Sequence, residues 1–298
     1  MTDTQERSSA EARGAVRSIG DRLRSDSAAL SEALRVPLPE ARREVQVLLS
    51  RALGWDWARL LAHPEFAPGP EAAARYERML ARRIAQEPVA YIVGEREFYG
   101  LSFEVTDAVL IPRPETELLV ELVLERLPAS ADCRILDLGT GSGCIAVTVA
   151  KLRPHAQVVA TDLSHAALEV LVRNASRHGI RNLVHRAGNW FDAVHGQRFD
   201  LIASNPPYVA EGDPHLSQGD LRFEPQAALH CGGDGLDAFR EITTHAPRHL
   251  LPRGWLLLEH GQGQEASVLD LMKETGFTER SSHRDLAGIP RVAAARLP

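Results

Sequence analysis

The chain has 298 residues, of which 44% are hydrophobic and 25% charged, a composition that predicts a packed core in one large domain plus a small one and excludes a disordered chain. Acidic side chains outnumber Lys plus Arg by 40 to 34, giving a formal net charge of -6, which argues against a broad basic face for nucleic acid while leaving room for a local patch. The three cysteines, Cys133, Cys144 and Cys231, lie far apart without metal or redox spacing, no apolar run approaches membrane-spanning length, and no signal-peptide core opens the chain, so a reducing, cytoplasmic setting is expected. The Ser- and Arg-rich start hints at a transit peptide, but Asp3, Glu6 and Glu11 speak against it.

The first dozen residues are polar and without periodicity, and are expected to fray. Val45, Leu48, Leu49 and Ala52 then fall at helix-face spacing, with Gly54 as a stop. Asp56 is placed to cap a short helix carrying Leu60 and Leu61, which Pro64 ends. Gly69-Pro70 opens a further helix with Tyr76, Met79, Leu80 and Ile84 on one face and Pro88 beyond it. Residues 1–88 therefore read as a small helical domain. Phe98-Tyr99-Gly100-Leu101-Ser102-Phe103 reads as a hairpin or linker strand, and Ile111 to Glu117 as a proline-pinned loop, so residues 89–117 form a linker. A helix from Leu118 to Leu127 leads into a second domain, residues 118–298. There the short apolar runs at Ile135-Leu136, Val158 to Ala160, Leu201 to Ala203 and Trp255 to Leu258 alternate with helical patterns such as Ala166 to Arg177, the signature of an α/β fold with a buried parallel sheet.

Two motifs in this second domain carry chemistry. The first, Asp137-Leu138-Gly139-Thr140-Gly141-Ser142-Gly143, follows a strand and opens a helix, where glycines allow a sharp turn and close ligand approach. Asp162 ends the next strand, placed to accept hydrogen bonds from ribose hydroxyls. The spacing is G-x-G-x-G rather than the dinucleotide G-x-G-x-x-G, and no Lys stands where a phosphate cradle needs one. It resembles the nucleoside-methionine site of class I methyltransferases, whose ligand has no phosphate. The second motif is Asn205-Pro206-Pro207-Tyr208, directly after the strand Phe199 to Ser204. An amide or aromatic amine nitrogen is a poor nucleophile because its lone pair is delocalised. The Asn205 side-chain carbonyl and the Pro206 backbone carbonyl offer two acceptors for the two protons of an NH2 group, the prolines stiffen the loop, and Tyr208 can stack on the flat acceptor. Trp190, in Gly188-Asn189-Trp190-Phe191, reads equally as an adenine-side lid or as core, with Asn189 a polar neighbour. His245 and His249 flank Pro247 without a carboxylate partner, so metal binding is not expected there, and no metal is expected at all. Arg42-Arg43 and Arg82-Arg83 read as solvated helix faces that could also meet an acidic or RNA-bearing partner.

These residues, with Glu87 to Tyr91, Gly94 to Phe98, Leu110 to Glu117, Ile135 to Ile145, Arg222-Phe223-Glu224-Pro225 and Leu258-Glu259-His260-Gly261, resemble the HemK/PrmC family from about Arg42 to the end. The resemblance implies an N-terminal helical bundle, a β-hairpin linker and a seven-stranded, Rossmann-like class I methyltransferase domain. It implies S-adenosylmethionine as cofactor, bound by Gly139, Thr140, Gly141, Ser142, Gly143, Asp162 and Trp190 with Asn205 beside it. It implies Asn205, Pro206, Pro207 and Tyr208 as the catalytic set, holding the glutamine of the Gly-Gly-Gln loop of peptide chain release factors. Release factors are then the partners, with no membrane and no stable nucleic-acid binding. The first thirty or so residues have no family counterpart, and Pro290 stands where a polar residue is usual. Two other readings stay open: an adenine or guanine amino-methyltransferase on nucleic acid, and a non-catalytic binder that kept the fold.

Overall fold

The computed structural model describes residues 17–130, 132–214 and 219–298, so the expectation for the first dozen residues lies outside it. The chain divides into two compact units, one ending at Val93 and the other running from Gly94 to the end.

The first unit is helical. Helix α1 (Ile19–Leu34) starts at a capping box in which the Ser18 hydroxyl accepts from Asp21 N at 3.2 Å and the Asp21 carboxylate accepts from Ser18 N at 3.1 Å. Helix α2 (Leu38–Leu53) buries Val45, Leu48, Leu49 and Ala52, and Gly54 closes it in the left-handed conformation. Asp56 caps α3 (Trp57–Ala62) by accepting from Arg59 N at 2.8 Å, and Gly69-Pro70 opens α4 (Pro70–Ile84). The expected apolar face of α4 holds for Tyr76, Met79 and Leu80. It fails at Ile84, which is 42% exposed. Arg83 takes the inward place because its charge is met there: Nε donates to Glu44 at 2.7 Å and a terminal nitrogen to the Glu87 carbonyl at 3.1 Å. The unit runs past the expected limit at residue 88. A short helix, α5 (Val89–Val93), buries Ile92 and Val93 in the helical core, which moves the division to Val93 and Gly94.

The second unit begins with a hairpin, β1 (Glu95–Phe98) and β2 (Leu101–Glu104), paired antiparallel. Its turn residues Tyr99 and Gly100 both have positive φ, 52° and 74°, the hand that matches strand twist. Helix α6 (Thr116–Arg126) follows the proline loop. Then come β3 (Arg134–Leu138), α7 (Cys144–Leu152), β4 (Gln157–Asp162), α8 (His165–Arg177), β5 (Leu183–Ala187), β6 (Phe199–Ser204), α9 (Asp237–His249), β7 (Leu250–Glu259), α10 (Glu265–Glu274), β8 (Thr278–Arg284) and β9 (Pro290–Arg296). The seven strands β3 to β9 form one sheet in the order β5-β4-β3-β6-β7-β9-β8, and β9 alone runs antiparallel to its neighbours.

Apolar clusters pack on both faces of this sheet. One holds α6 and α7 side chains such as Leu119, Val123 and Val147, the other α9 and α10 side chains such as Phe239, Ile242 and Met272. Burial on both faces explains why β3, β6 and the end of β7 read as unbroken apolar runs. The edge strand β5 is the exception, with Val184 54% exposed. The chain enters the sheet at β3, builds outward to β5, then returns to place β6 on the other side of β3. That reversal leaves a crevice beyond the carboxyl ends of β3 and β6, where open α/β sheets bind ligands.

Candidate active site

A cavity of about 310 Å³ occupies that crevice. The residues following β3, β4, β5 and β6 line it: the glycine loop 139–142, Asp162 to Ser164, Gly188 to Trp190, and Asn205 with Pro207. The proline loop adds Pro112, Arg113 and Thr116, and a later segment adds Pro225, Ala227 and Ala228. Arg113 and Asp162 are the charged residues in this wall.

The glycine loop is held from below. Gly139, Gly141 and Gly143 have φ of 67°, 55° and 82°, a region that L side chains enter at a cost of about 1–2 kcal/mol each. Gly141 N donates to Asp162 Oδ2 at 2.8 Å and Ser164 N to Oδ1 at 2.8 Å, so two backbone amides fix the carboxylate that faces the cavity. Each oxygen keeps a lone pair for a ligand hydroxyl. Burial raises the Asp162 pKa, and these amides pull it back. Beneath the loop, the Thr140 hydroxyl donates to Asp137 Oδ2 at 2.6 Å, while Asp137 Oδ1 is buried without a protein partner. Burial pushes the Asp137 carboxyl up to about 7. Fully buried Asn174 of α8 stitches the loop to the hairpin: its Nδ2 donates to Ser142 O at 2.9 Å and Glu104 O at 3.0 Å, and its Oδ1 accepts from Glu104 N at 2.7 Å.

Asn205 emerges from β6 half-buried, and its Nδ2 donates to the Thr116 hydroxyl at 3.2 Å. The Ser204 hydroxyl, one residue earlier, donates to Leu138 O at 2.7 Å and locks the ends of β6 and β3 together. The proline loop is pinned by Glu224, whose side chain is fully buried. It accepts from Ile111 N at 3.0 Å and pairs with the Arg113 guanidinium. A buried carboxylate matched by a charged donor and a backbone amide is a stiff clamp, and it sets the cavity rim.

The cavity brings together Gly139, Thr140, Gly141, Ser142, Asp162, Trp190, Asn205 and Pro207 of the residues expected from sequence. Trp190 both lines the cavity, where a Cβ built on Gly139 would lie 3.7 Å from its Cζ3, and packs on the sheet's core. Gly143, Pro206 and Tyr208 stand outside the described wall. A Cβ on Gly143 would meet Leu171 Cγ at 2.9 Å, so the third glycine admits α8 rather than a ligand. Pro206 is buried. The Tyr208 ring packs against the core and so close to Gly261 that a Cβ there would sit 3.1 Å from Cδ2. Its backbone carbonyl accepts from Gln264 Nε2 at 3.0 Å. Burial and the nearby Glu259 push its phenol up to about 12. Among the described residues no group of His, Cys, Asp and Glu could hold a metal ion, and no helix is long and apolar enough to cross a membrane.

Sequence reasoning gave no role to Thr116, Glu224, Asn174 or Asp137. Thr116 and Glu224 stand inside the motifs that carried the resemblance, but a polar side chain among prolines has no periodic signal to declare what it bonds. Asn174 shows only as a polar break in the apolar stripe of α8.

Residues 116–234 match the family model described as the methyltransferase small domain, and residues 23–94 match the PrmC N-terminal domain. A release factor glutamine methyltransferase of Xylella fastidiosa is 49% identical over 257 residues, covering 86% of this chain and 94% of that one. Its counterpart in Burkholderia pseudomallei is 46% identical over 282 residues, covering 91% and 97%. Among solved structures, the T. thermophilus 16S rRNA N2 G1207 methyltransferase (RsmC), in complex with AdoMet and guanosine, superposes with a TM-score of 0.51 at 20% identity, over 68% of this chain and 50% of that one. At that identity the likeness is one of fold.

Proposed function

The chain belongs to the release factor glutamine methyltransferase family, and from that premise we propose that it methylates the side-chain amide nitrogen of the glutamine in the Gly-Gly-Gln loop of peptide chain release factors, supporting translation termination in the cytoplasm. It is an S-adenosylmethionine-dependent methyltransferase. The wall suits that cofactor. It has a fixed carboxylate with free lone pairs at Asp162, an open glycine turn where a Cβ on Gly141 would meet nothing within 4 Å, and no cluster of basic groups of the kind a phosphate needs. Gly139 to Ser142 would take the amino-acid part, Asp162 the ribose and Trp190 the adenine. When bound, the cofactor supplies a methyl already activated by its sulfonium.

What the protein must add is geometry. The amide nitrogen would take up the methyl carbon as its bond to the sulfonium sulfur breaks, leaving a neutral thioether, and one of the two amide protons would pass to solvent. Asn205 Oδ1 and the Pro206 carbonyl each accept one amide N–H and so turn the nitrogen lone pair toward the donor carbon. Proline at 206 and 207 removes two backbone donors that would compete. Tyr208 supports the loop from the core side. The helical first unit serves recognition of the release factor, and the acidic balance disfavours stable nucleic-acid binding.

The observation that supports this reading most is that Asn205 and Pro207 share one cavity with the glycine loop and Asp162. The test offers the purified protein labelled S-adenosylmethionine with equal amounts of release factor, RNA and DNA. Label is expected in the release factor. Label in nucleic acid alone would replace the reading with a base amino-methyltransferase, and no transfer at all would favour a binder that kept the fold.

A further inference from the structure

We infer that Glu224 is a positioning residue that closes a hydrogen-bonded collar on the Asn205 side of the cavity. The collar selects the acceptor: it passes one unbranched side chain and rejects bulk beside it. The inference rests on the acceptor role proposed for Asn205 and names what would keep other acceptors out. Three segments far apart in sequence meet there, and each puts a proline in the cavity wall: Pro112, Pro207 and Pro225. Proline fixes φ and carries no N–H, so each segment is stiff and offers no backbone donor at that point. Ala227 and Ala228 add small side chains to the same wall, against which a CH2 stem can pack.

Each segment is tied to the next. Asn205 Nδ2 donates to the Thr116 hydroxyl at 3.2 Å, joining the Asn205 loop to the proline loop. Ile111 N donates to Glu224 Oε2 at 3.0 Å and the Arg113 guanidinium pairs with Oε1, joining the proline loop to the third segment. Val209 N donates to Leu229 O at 2.9 Å and Cys231 N to Val209 O at 3.0 Å, returning the third segment to the residue after Tyr208. The links make a closed ring. The Glu224 side chain is fully buried, so solvent does not compete for its two bonds. A ring stapled in this way widens only by breaking a link, and a substituent next to the entering side chain meets fixed walls.

Glu224→Ala removes the link, and Glu224→Gln keeps the shape but sets an NH2 group against a donor. Two acceptors are compared: release factor, and release factor carrying alanine in place of the second glycine of Gly-Gly-Gln. Wild type should prefer the first. The ratio of the two kcat/KM values should fall about fivefold or more in each variant, with cofactor Kd within about twofold. A purely structural role for Glu224 would lower both acceptors alike. An unchanged ratio, or a wild type that takes both acceptors equally, would overturn the inference. An acceptor-free readout separates it from the substrate reading. Hydrogen–deuterium exchange should rise in residues 111–116 and 224–231 of both variants and stay at the wild-type level in the glycine loop. No rise in those two segments would also overturn the inference. A collar that loosens as expected in a protein that methylates neither release factor would overturn the substrate reading alone.

Discussion

Gly143 and Leu171 are in such close approach that a single added carbon on the glycine would lie 2.9 Å from the leucine Cγ, whereas the same carbon on Gly141 would meet nothing within 4 Å. Two glycines of one motif thus answer to different constraints. Gly143→Ala forces α7 and α8 apart, an overpacking cost of about 1–3 kcal/mol on top of about 1–2 kcal/mol of left-handed strain. Gly141→Ala bears the strain alone and intrudes on the cofactor side. Urea denaturation should rank Gly143→Ala below Gly141→Ala in stability, and calorimetry of the folded variants should show the larger loss of cofactor affinity in Gly141→Ala. The opposite ranking in either measurement would contradict this assignment.

Asp162 and Asn205 should separate binding from chemistry. Asp162→Ala removes the acceptor proposed for the ribose and leaves the Gly141 and Ser164 amides without a partner, so cofactor affinity should fall by about 1–3 kcal/mol. Asn205→Ala trims one side chain of the cavity wall but leaves the glycine loop and Asp162 in place, so turnover should fall about a hundredfold or more with a smaller change in cofactor Kd. Isothermal titration and single-turnover rates on both variants check this, and full turnover in Asn205→Ala would remove it from the mechanism.

The buried Asp137 makes a pH prediction whose sign is fixed. Its carboxyl is raised to about 7 by burial, while the Thr140 hydroxyl and the Ala146 amide pull the other way. A group raised in the folded state contributes stability that is complete below its unfolded value and is lost as pH climbs through the folded one. The stability of wild type minus that of Asp137→Asn should therefore be larger at about pH 5 than at about pH 8. Comparing each variant with wild type at the same pH cancels the opposite trend of His249, His260 and His283, whose pKa values burial lowers. A difference that is flat, or that grows toward alkaline pH, would contradict a buried, raised Asp137.

The compact division at Gly94 offers a cut that spares both cores. A chain starting at Gly94 retains every residue of the cavity wall and should bind the cofactor, while its kcat/KM on intact release factor should fall steeply if the helical unit recognises the substrate. Unchanged kcat/KM on the intact protein would end that role.

Where hydrophobic period and turn chemistry act over neighbouring residues, the sequence was a sufficient guide. The strands β3, β4, β6 and β7, the Asp56 cap, the Gly54 stop and the Tyr99-Gly100 turn follow from local pattern, whereas β8 and β9, without a long apolar run, were not read. The motifs at Gly139 and Asn205 were legible because a strand end and a run of glycine or proline are local signals too. What stayed hidden depends on groups distant in sequence. Arg83 displaces Ile84 because Glu44 lies opposite, Glu224 reaches across more than a hundred residues to Ile111, and Gly143 is a glycine on account of Leu171. The same limit applies to Tyr208. Its place in the motif suggests a stacking platform, but not that its partly buried ring packs against the sheet's core beside Gly261.

The most direct test of the central claim is to locate the methyl group. Release factor incubated with the protein and isotopically labelled S-adenosylmethionine is digested and its peptides are analysed by mass spectrometry. One methyl on the amide nitrogen of the Gly-Gly-Gln glutamine, and none on a release factor carrying alanine at that position, is the expected result. Methylation at another residue, or undiminished labelling of the alanine variant, would contradict it.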